Sequence, residues 1–277
     1  MAKSVKVNFV FNLINTISGL LFPLITFPYA SRVIMSEGIG QVNFYTSIIN
    51  YIALFSCIGI PLYGIREIAR VRDSQVDLSR TTVEILLLNL LLNVIGYFAV
   101  AIICLTVARV QANIPLFLVL SAIIALTTIG CSWFYNGIEE FKYITIRNLI
   151  VKIIAVIYLF YAVKTQDDLL QYGIYTVLGT IGNNIFNFLR LRKHIDLSLF
   201  GLRDLNIGRH FKPAIAIFAF NLVTSIYLNL DKVMLGFIQN DQAVGYYTAA
   251  TNLSHILLYA VTSLGAVLLP RTSNLIK

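Results

Sequence analysis

Long apolar runs alternate with short polar segments along the whole chain. About 20 consecutive apolar residues suffice to cross the hydrocarbon core of a bilayer. Such runs recur at roughly Phe9–Ile34, Val42–Ile60, Thr82–Ala108, Ile114–Tyr135, Ile144–Ala162, Leu169–Leu189, Pro213–Phe237 and Val244–Leu269. The pattern predicts an all-α membrane protein of about eight transmembrane helices. Pro115 and Pro213 fall at helix starts, where the missing N–H removes no hydrogen bond. Pro61 and Pro270 fall at helix ends, while Pro23 and Pro28 lie inside the first span and predict a kink or break there.

Composition agrees. Of 277 residues, 58% are hydrophobic and only 12% charged, with a mean hydropathy of +0.79. A soluble domain carries about 25% charged residues, and a soluble helical protein would show charged outer faces that are missing here. After Lys3 and Lys6 the first apolar stretch contains two prolines and leads to no small-residue cleavage pattern. It reads as a span rather than a removed signal. Cys57, Cys104 and Cys131 sit in separate apolar runs, so no disulfide, metal site or cofactor is indicated.

The net charge of +8 could suggest nucleic acid, but its distribution argues otherwise. With the N-terminus inside, Arg109 and Lys164 are the only basic residues in outer loops. Arg32, Arg147, Lys152 and Lys232 lie within or at the edge of spans, and the rest fall on the inner side. This bias places the chain in the cytoplasmic membrane with both termini cytoplasmic. The longest polar segment, 190–212, separates a six-helix unit (1–189) from two further helices (213–277). Both an interfacial helix on anionic headgroups and a simple basic tether fit that segment. His194 and His210 within it carry no signal, and Trp133 with Tyr135 reads as an interfacial anchor.

Polar residues recur at steps of three and four in several spans: Asn8, Asn12, Asn15, Gly19 and Thr26; Asn43, Ser47, Asn50 and Cys57; Asn89, Asn93 and Gly96; Tyr172, Thr176, Gly179, Asn183 and Asn187; Thr248, Asn252, His255, Tyr259 and Thr262. Each stripe occupies one helix face. Any one of them serves equally as interhelical glue, but five together favour a polar central cavity. Lys152, eight residues into its span, is the basic residue hardest to explain by snorkelling; Arg147, nearer the inner face, can snorkel. Four basic residues against Asp231 and Glu84 set the interior for an anion. Lys152, Arg32 and Lys232 are the candidate anion contacts, with Asn12, Asn15, Asn50, Asn183 and Asn252 as polar contacts. His255, mid-stripe, is a structural histidine or, with Asp231, a coupling group. The Gly38-Ile39-Gly40 triplet is a tight turn without nucleotide-binding context, and no ATP-binding motif occurs.

A short pattern occurs twice. Ser31-Arg32-Val33-Ile34-Met35 leads to Gly40-Gln41-Val42-Asn43-Phe44-Tyr45-Thr46, and Asp231-Lys232-Val233-Met234-Leu235 leads to Gln242-Ala243-Val244-Gly245-Tyr246-Tyr247-Thr248. Spans seven and eight thus restart the pattern of spans one and two. Together with the stretch Phe22–Arg32, Gly64-Ile65-Arg66-Glu67-Ile68-Ala69 and Trp133–Lys142, these motifs resemble the bacterial polysaccharide flippases (Wzx-type O-antigen and capsule repeat-unit translocases) of the multidrug/oligosaccharidyl-lipid/polysaccharide exporter superfamily. The resemblance implies a MATE-like fold with two six-helix lobes around a central cavity. One lobe is complete here, and the second has its first two helices, as expected of a fragment or a truncated reading frame.

The resemblance further implies a non-enzymatic carrier of a polyprenyl-pyrophosphate-linked oligosaccharide, working in membrane lipid beside other polysaccharide-assembly proteins. Lys152, Arg32 and Lys232 would meet the pyrophosphate and the asparagines the sugar hydroxyls. A peptidoglycan-precursor flippase, a multidrug exporter of the same fold, or a non-functional truncated relative are the alternatives. A membrane-embedded polymerase or ligase is disfavoured by outer loops of about five residues.

Overall fold

The computed structural model describes residues 5–254, and all regular structure among them is helical. In chain order the helices are α1 (Val5–Val33), α2 (Met35–Cys57), α3 (Ile60–Val71), α4 (Gln75–Thr106), α5 (Ala108–Gln111), α6 (Ile114–Ile129), α7 (Ser132–Gly137), α8 (Phe141–Ala162), α9 (Leu169–Ile181), α10 (Asn184–Leu191) and α11 (Phe211–Ile238). Residues 241–254 form a further helix, α12. His255 and the rest of the eighth expected span lie outside the described residues, as do the side chains of Asn8 and Asn12.

Among the described residues, five segments are long and apolar enough to cross a membrane: Leu13–Val33, Met35–Val71, Gln75–Thr106, Ile114–Gly137 and Phe141–Ala162. A sixth is a broken pair, Ile207–Ala219 and Leu222–Ile238, bent by 54°. The remaining two expected spans differ for separate reasons. The Leu169–Leu189 span stops after 13 residues as α9, because Gly182 and the two asparagines after it favour a turn over helix; the Asn184 amide donates instead to the Leu126 carbonyl at 2.9 Å. The eighth is described only in its first half.

Helix limits follow local chemistry. Ser74 caps α4 by accepting from the Asp77 backbone N–H, and Asn113 caps α6 ahead of Pro115. Pro61 does not end a helix: it opens α3, and the expected second span continues through Val71 after a joint at Ile58 and Gly59, both left-handed. At Gly59 a side chain would strike the backbone of Ala214 and Phe218. The α1 helix runs unbroken through Pro23 and Pro28, because lipid offers the backbone no water if the helix opens.

The lipid-facing surface reads directly from the side chains. On α4, Leu91, Val94, Ile95, Phe98 and Leu105 are exposed, and on α8 so are Ile146, Ile150, Ile153 and Ile157. Exposed apolar stripes of this size are what hydrocarbon requires and water does not tolerate. The chain is a multi-pass membrane protein. Among the described residues, two packed cores hold the helices. One, away from the 190–212 linker, joins Phe44, Tyr45, Ile49, Phe117, Leu120 and Leu159. The other, at the linker end, joins Ile60, Ile68, Ile85, Trp133, Phe134, Tyr135 and Ala214. Trp133 is therefore no interfacial anchor. It is 3% exposed, with its indole against Gly64, whose missing side chain makes the room.

The linker is neither an interfacial helix nor a loose tether. It forms three short 3₁₀ turns, Leu197–Leu199, Leu202–Asp204 and Ile207–His210, and docks on the bundle through Glu84. That carboxylate, fully buried, accepts from the Asn206 backbone N–H at 2.7 Å. It also meets His210 Nε2 at 2.7 Å and Arg209 at 2.5 Å. His210 Nδ1 lies 2.7 Å from the Tyr63 hydroxyl. His210, uninformative in the sequence, is thus a central member of this lock.

Candidate functional site

Beside the first core, whose Ala30, Val42 and Tyr172 form part of its wall, lies a cavity of about 510 Å³, in the range of small-ligand clefts. Its wall takes Gly19, Phe22 and Thr26 from α1, Asn43 and Thr46 from α2, Lys152 from α8, Tyr172, Tyr175, Thr176 and Gly179 from α9, and Asn252 from α12. Four of the five polar stripes contribute. The fifth does not: Gly96 of α4 packs against Ser56 of α2, so that stripe serves helix packing.

Lys152 carries the only formal charge on the described wall. It is half-buried. Its ammonium lies 3.4 Å from Ser18 Oγ and 5.6 Å from the centre of the Phe22 ring. No described carboxylate lies within ion-pair distance. A hydroxyl and a ring face stabilise an ammonium less well than a carboxylate does, which leaves an anion-shaped opportunity beside it.

One turn toward the linker end, Asn148 is a hub. Its amide donates to Asn15 Oδ1 at 2.9 Å, and its oxygen accepts from Asn183 at 2.5 Å and Arg147 at 3.0 Å. Asn15 and Asn183 are therefore joined, in a layer next to the cavity rather than on its wall. Arg147 does not snorkel to water as its position suggested. It is 7% exposed and bonds Asn187, because the polar faces of α8 and α10 meet there and offer it oxygen acceptors.

The other candidates lie apart. Arg32 is exposed at the far end of α1. Lys232 is half-buried on α11 but absent from the cavity wall, and it pairs with no described carboxylate; its neighbour Asp231 accepts instead from the Tyr247 hydroxyl. Asn50 is half-buried on α2 and off the wall.

Toward the far end, beyond the cavity wall, α2 and α12 are held together by contacts that the sequence did not flag, and the Gly38-Ile39-Gly40 triplet expected as a tight turn is helical there, within α2. Gly40 of α2 and Gly245 of α12 cross so closely that a side chain on Gly40 would collide with the Asp241 carbonyl, and one on Gly245 with that of Ser36. Arg109 forms an ion pair with Asp241 and lies 4.7 Å over the Phe44 ring, while Tyr45 donates to the Arg109 carbonyl at 2.5 Å. Desolvation holds the Asp241 carboxyl above the usual carboxylate range, the Arg109 charge offsetting part of the rise. The sequence signal was modest: Arg109 is one of two basic residues in the outer loops, and Gly40 and Gly245 stand in the two copies of the repeated pattern.

Comparison with known proteins gives the context. The family model described as "Polysaccharide biosynthesis protein" matches residues 5–276. Two curated proteins named "Putative O-antigen transporter" are similar to the chain. The one from Shigella dysenteriae is 26% identical, covering 93% of this chain and 65% of its own length. The one from Escherichia coli (strain K12) is 22% identical, covering 93% and 62%. The chain thus spans somewhat less than two thirds of these relatives. No solved structure matches it.

Proposed function

The chain belongs to the polysaccharide biosynthesis protein family, and from that premise we propose that it moves a polyprenyl-pyrophosphate-linked oligosaccharide repeat unit across the cytoplasmic membrane. One observation carries the reading: an ammonium without a carboxylate partner, Lys152, facing a polar cavity amid membrane-spanning helices. Such a charge is costly in that position and is matched by a phosphate-bearing guest. Lysine binds phosphate as a point charge, while Asn43, Thr46, Thr176 and Asn252 offer the sugar donors and acceptors.

The proposed roles follow position. Lys152 meets the pyrophosphate in the cavity. Lys232 and Arg32 meet it later, toward the far end. Asn15 and Asn183, through Asn148, hold the layer that sets the Lys152 helix, and Asn12, Asn50 and Asn252 contact sugar as it passes. Asp231 and His255 are the proposed coupling groups. In this reading the linker end faces the cytoplasm, residues 1–189 form one lobe, and residues 213–277 begin a second. The protein acts as a carrier, not an enzyme. The described far-end connections, residues 34, 107–113, 163–168 and 239–240, are too short to assemble a catalytic site. The absence of a carboxylate from the described cavity wall disfavours a cationic drug as cargo.

The test replaces Lys152 with Gln in the gene that contains this chain and measures surface polysaccharide at matched membrane levels of protein. Loss of a charge-assisted contact of about 1.5–3 kcal/mol predicts a fall of roughly 10- to 150-fold, with Lys152→Arg retaining part of the activity. Undiminished export removes Lys152 from the site.

A further inference from the structure

A second cavity, of about 410 Å³, opens on the outer face of the bundle between α8 and α10, near the linker end. It is built differently from the first. Three basic residues line it, Arg147, Arg190 and Lys193, together with Tyr143 and an apolar rim that includes Ile146, Ile150, Phe186 and Leu189. Arg147 is 7% exposed, and its Nε has no hydrogen-bond partner; nor does the Tyr143 hydroxyl. The Tyr143 ring lies between two guanidinium groups, 5.3 Å from that of Arg147 and 3.9 Å from that of Arg190. The carboxylate at this site is Glu140, 3.5 Å from Arg190, which leaves the cavity net positive. Buried donors without partners are costly, and both belong to residues in the wall of this cationic pocket.

The surroundings specify the guest. The rim residues Ile146 and Ile150 continue along α8 as Ile153 and Ile157, all exposed. At 1.5 Å per residue this stripe is about 16 Å long, close to half of the roughly 30 Å hydrocarbon core, the depth of one leaflet. A cationic pocket at one end of a leaflet-deep apolar track fits a headgroup phosphate with acyl chains attached, and basic pockets between helices bind such headgroups. The geometry points to a binding site for an anionic glycerophospholipid of the leaflet on the linker side. The phosphate oxygens accept from Arg190 and Lys193, whose side chains reach the surface of the groove, the buried Arg147 guanidinium adds its charge behind them, and an acyl chain lies on the isoleucine stripe. The site is separate from the Lys152 cavity and does not rest on the translocation reading. Through the Arg147–Asn148 hydrogen bond at 3.0 Å, a bound phosphate also steadies the asparagine layer beside that cavity.

Native mass spectrometry of the purified full chain, titrated with phosphatidylglycerol or phosphatidylcholine in neutral detergent, tests the assignment. One phosphatidylglycerol per chain is expected to bind at least about tenfold more tightly than phosphatidylcholine, and each lost basic residue to weaken it about fivefold. Because Arg147→Gln also breaks internal hydrogen bonds, the decisive variants are Lys193→Gln, at an exposed position, and Ile150→Trp, which fills the groove; unfolding temperatures confirm that both fold. Equal binding of the two lipids overturns the site, as does parental phosphatidylglycerol binding by both folded variants. Preference for a polyprenyl phosphate over phosphatidylglycerol, lost in the same variants, overturns the phospholipid assignment by giving the groove to an isoprenoid carrier.

Discussion

Removing the Arg109 side chain should open the far end of the central cavity, and the structure sets the size of the effect. Arg109 and Asp241 are 28% and 22% exposed. Breaking a fully buried pair costs about 3–5 kcal/mol, and an exposed pair contributes about 0.2–1; this pair lies between, at about 1–2 kcal/mol. Arg109→Ala leaves Asp241 desolvated without its cation while the ends stay together, but lets it reach water when α2 and α12 part. The closed-to-open ratio should therefore fall roughly 5- to 30-fold. Asn43→Cys, on the cavity wall, reports it through labelling of intact cells with a membrane-impermeant maleimide. Of the native cysteines, Cys57 and Cys131 are buried and only Cys104 needs replacement. Labelling should rise in Arg109→Ala and return to the parental level in Arg109→Ala/Asp241→Asn. The pH dependence has a definite sign. Asp241 has its higher pKa in the closed, desolvated arrangement, so protonation favours closure. The penalty is full above that raised pKa and fades as pH falls below it, and the ratio of labelling in Arg109→Ala to that in Arg109→Ala/Asp241→Asn, which cancels the thiol's own pH dependence, should decline on acidification. Parental labelling in Arg109→Ala, or no reversal by Asp241→Asn, would refute the closure.

Two further predictions concern stability. Glu84→Ala removes the acceptor shared by His210, Arg209 and the Asn206 N–H. Because Arg209 is 38% exposed, the cost is that of the unsatisfied Asn206 and His210 groups, about 1–3 kcal/mol, seen as a lower unfolding temperature and faster proteolytic nicking within residues 190–212; unchanged nicking would show that the linker is held otherwise. Gly64→Val places its first carbon 2.8 Å from the Trp133 ring. It should destabilise by about 1–3 kcal/mol, whereas the same change at exposed Ala69 should be near neutral in the same thermal assay.

Hydropathy located the membrane segments because lipid demands a full-length apolar helix at every crossing, and five such crossings stand where the apolar runs predicted them. It failed where the signal is local and three-dimensional. Neither the break at Gly182 nor the bend in α11 shortens the apolar run, so both stay hidden. Pro61 was equally at home at a helix end or start, and only the left-handed joint at Gly59 decides between them. The polar stripes on α1, α2, α9 and α12 identified a cavity because periodicity fixes a helix face. Periodicity does not say what that face meets, and the α4 stripe met α2. Lys152 stood out because depth in a span makes a charge hard to excuse. Arg147 did not, since its depth was compatible with snorkelling and its acceptor, Asn187, lies 40 residues away. Trp133 resembled an anchor because composition cannot distinguish a membrane interface from a buried packing site against a distant glycine.

The proposed hold on the substrate depends on the positive charge at position 152. Lys152→Cys in the gene that contains this chain, with other reactive cysteines removed, places a thiol there. Aminoethylation of that thiol restores an ammonium at nearly the original length, while carbamidomethylation adds similar bulk without charge. Transfer of a polyprenyl-pyrophosphate-linked oligosaccharide across the membrane of inverted vesicles should be lost in the cysteine form, recovered on aminoethylation and still absent after carbamidomethylation. Parental transfer by the unmodified cysteine form, or equal recovery with both reagents, would contradict a charge-based hold on the substrate.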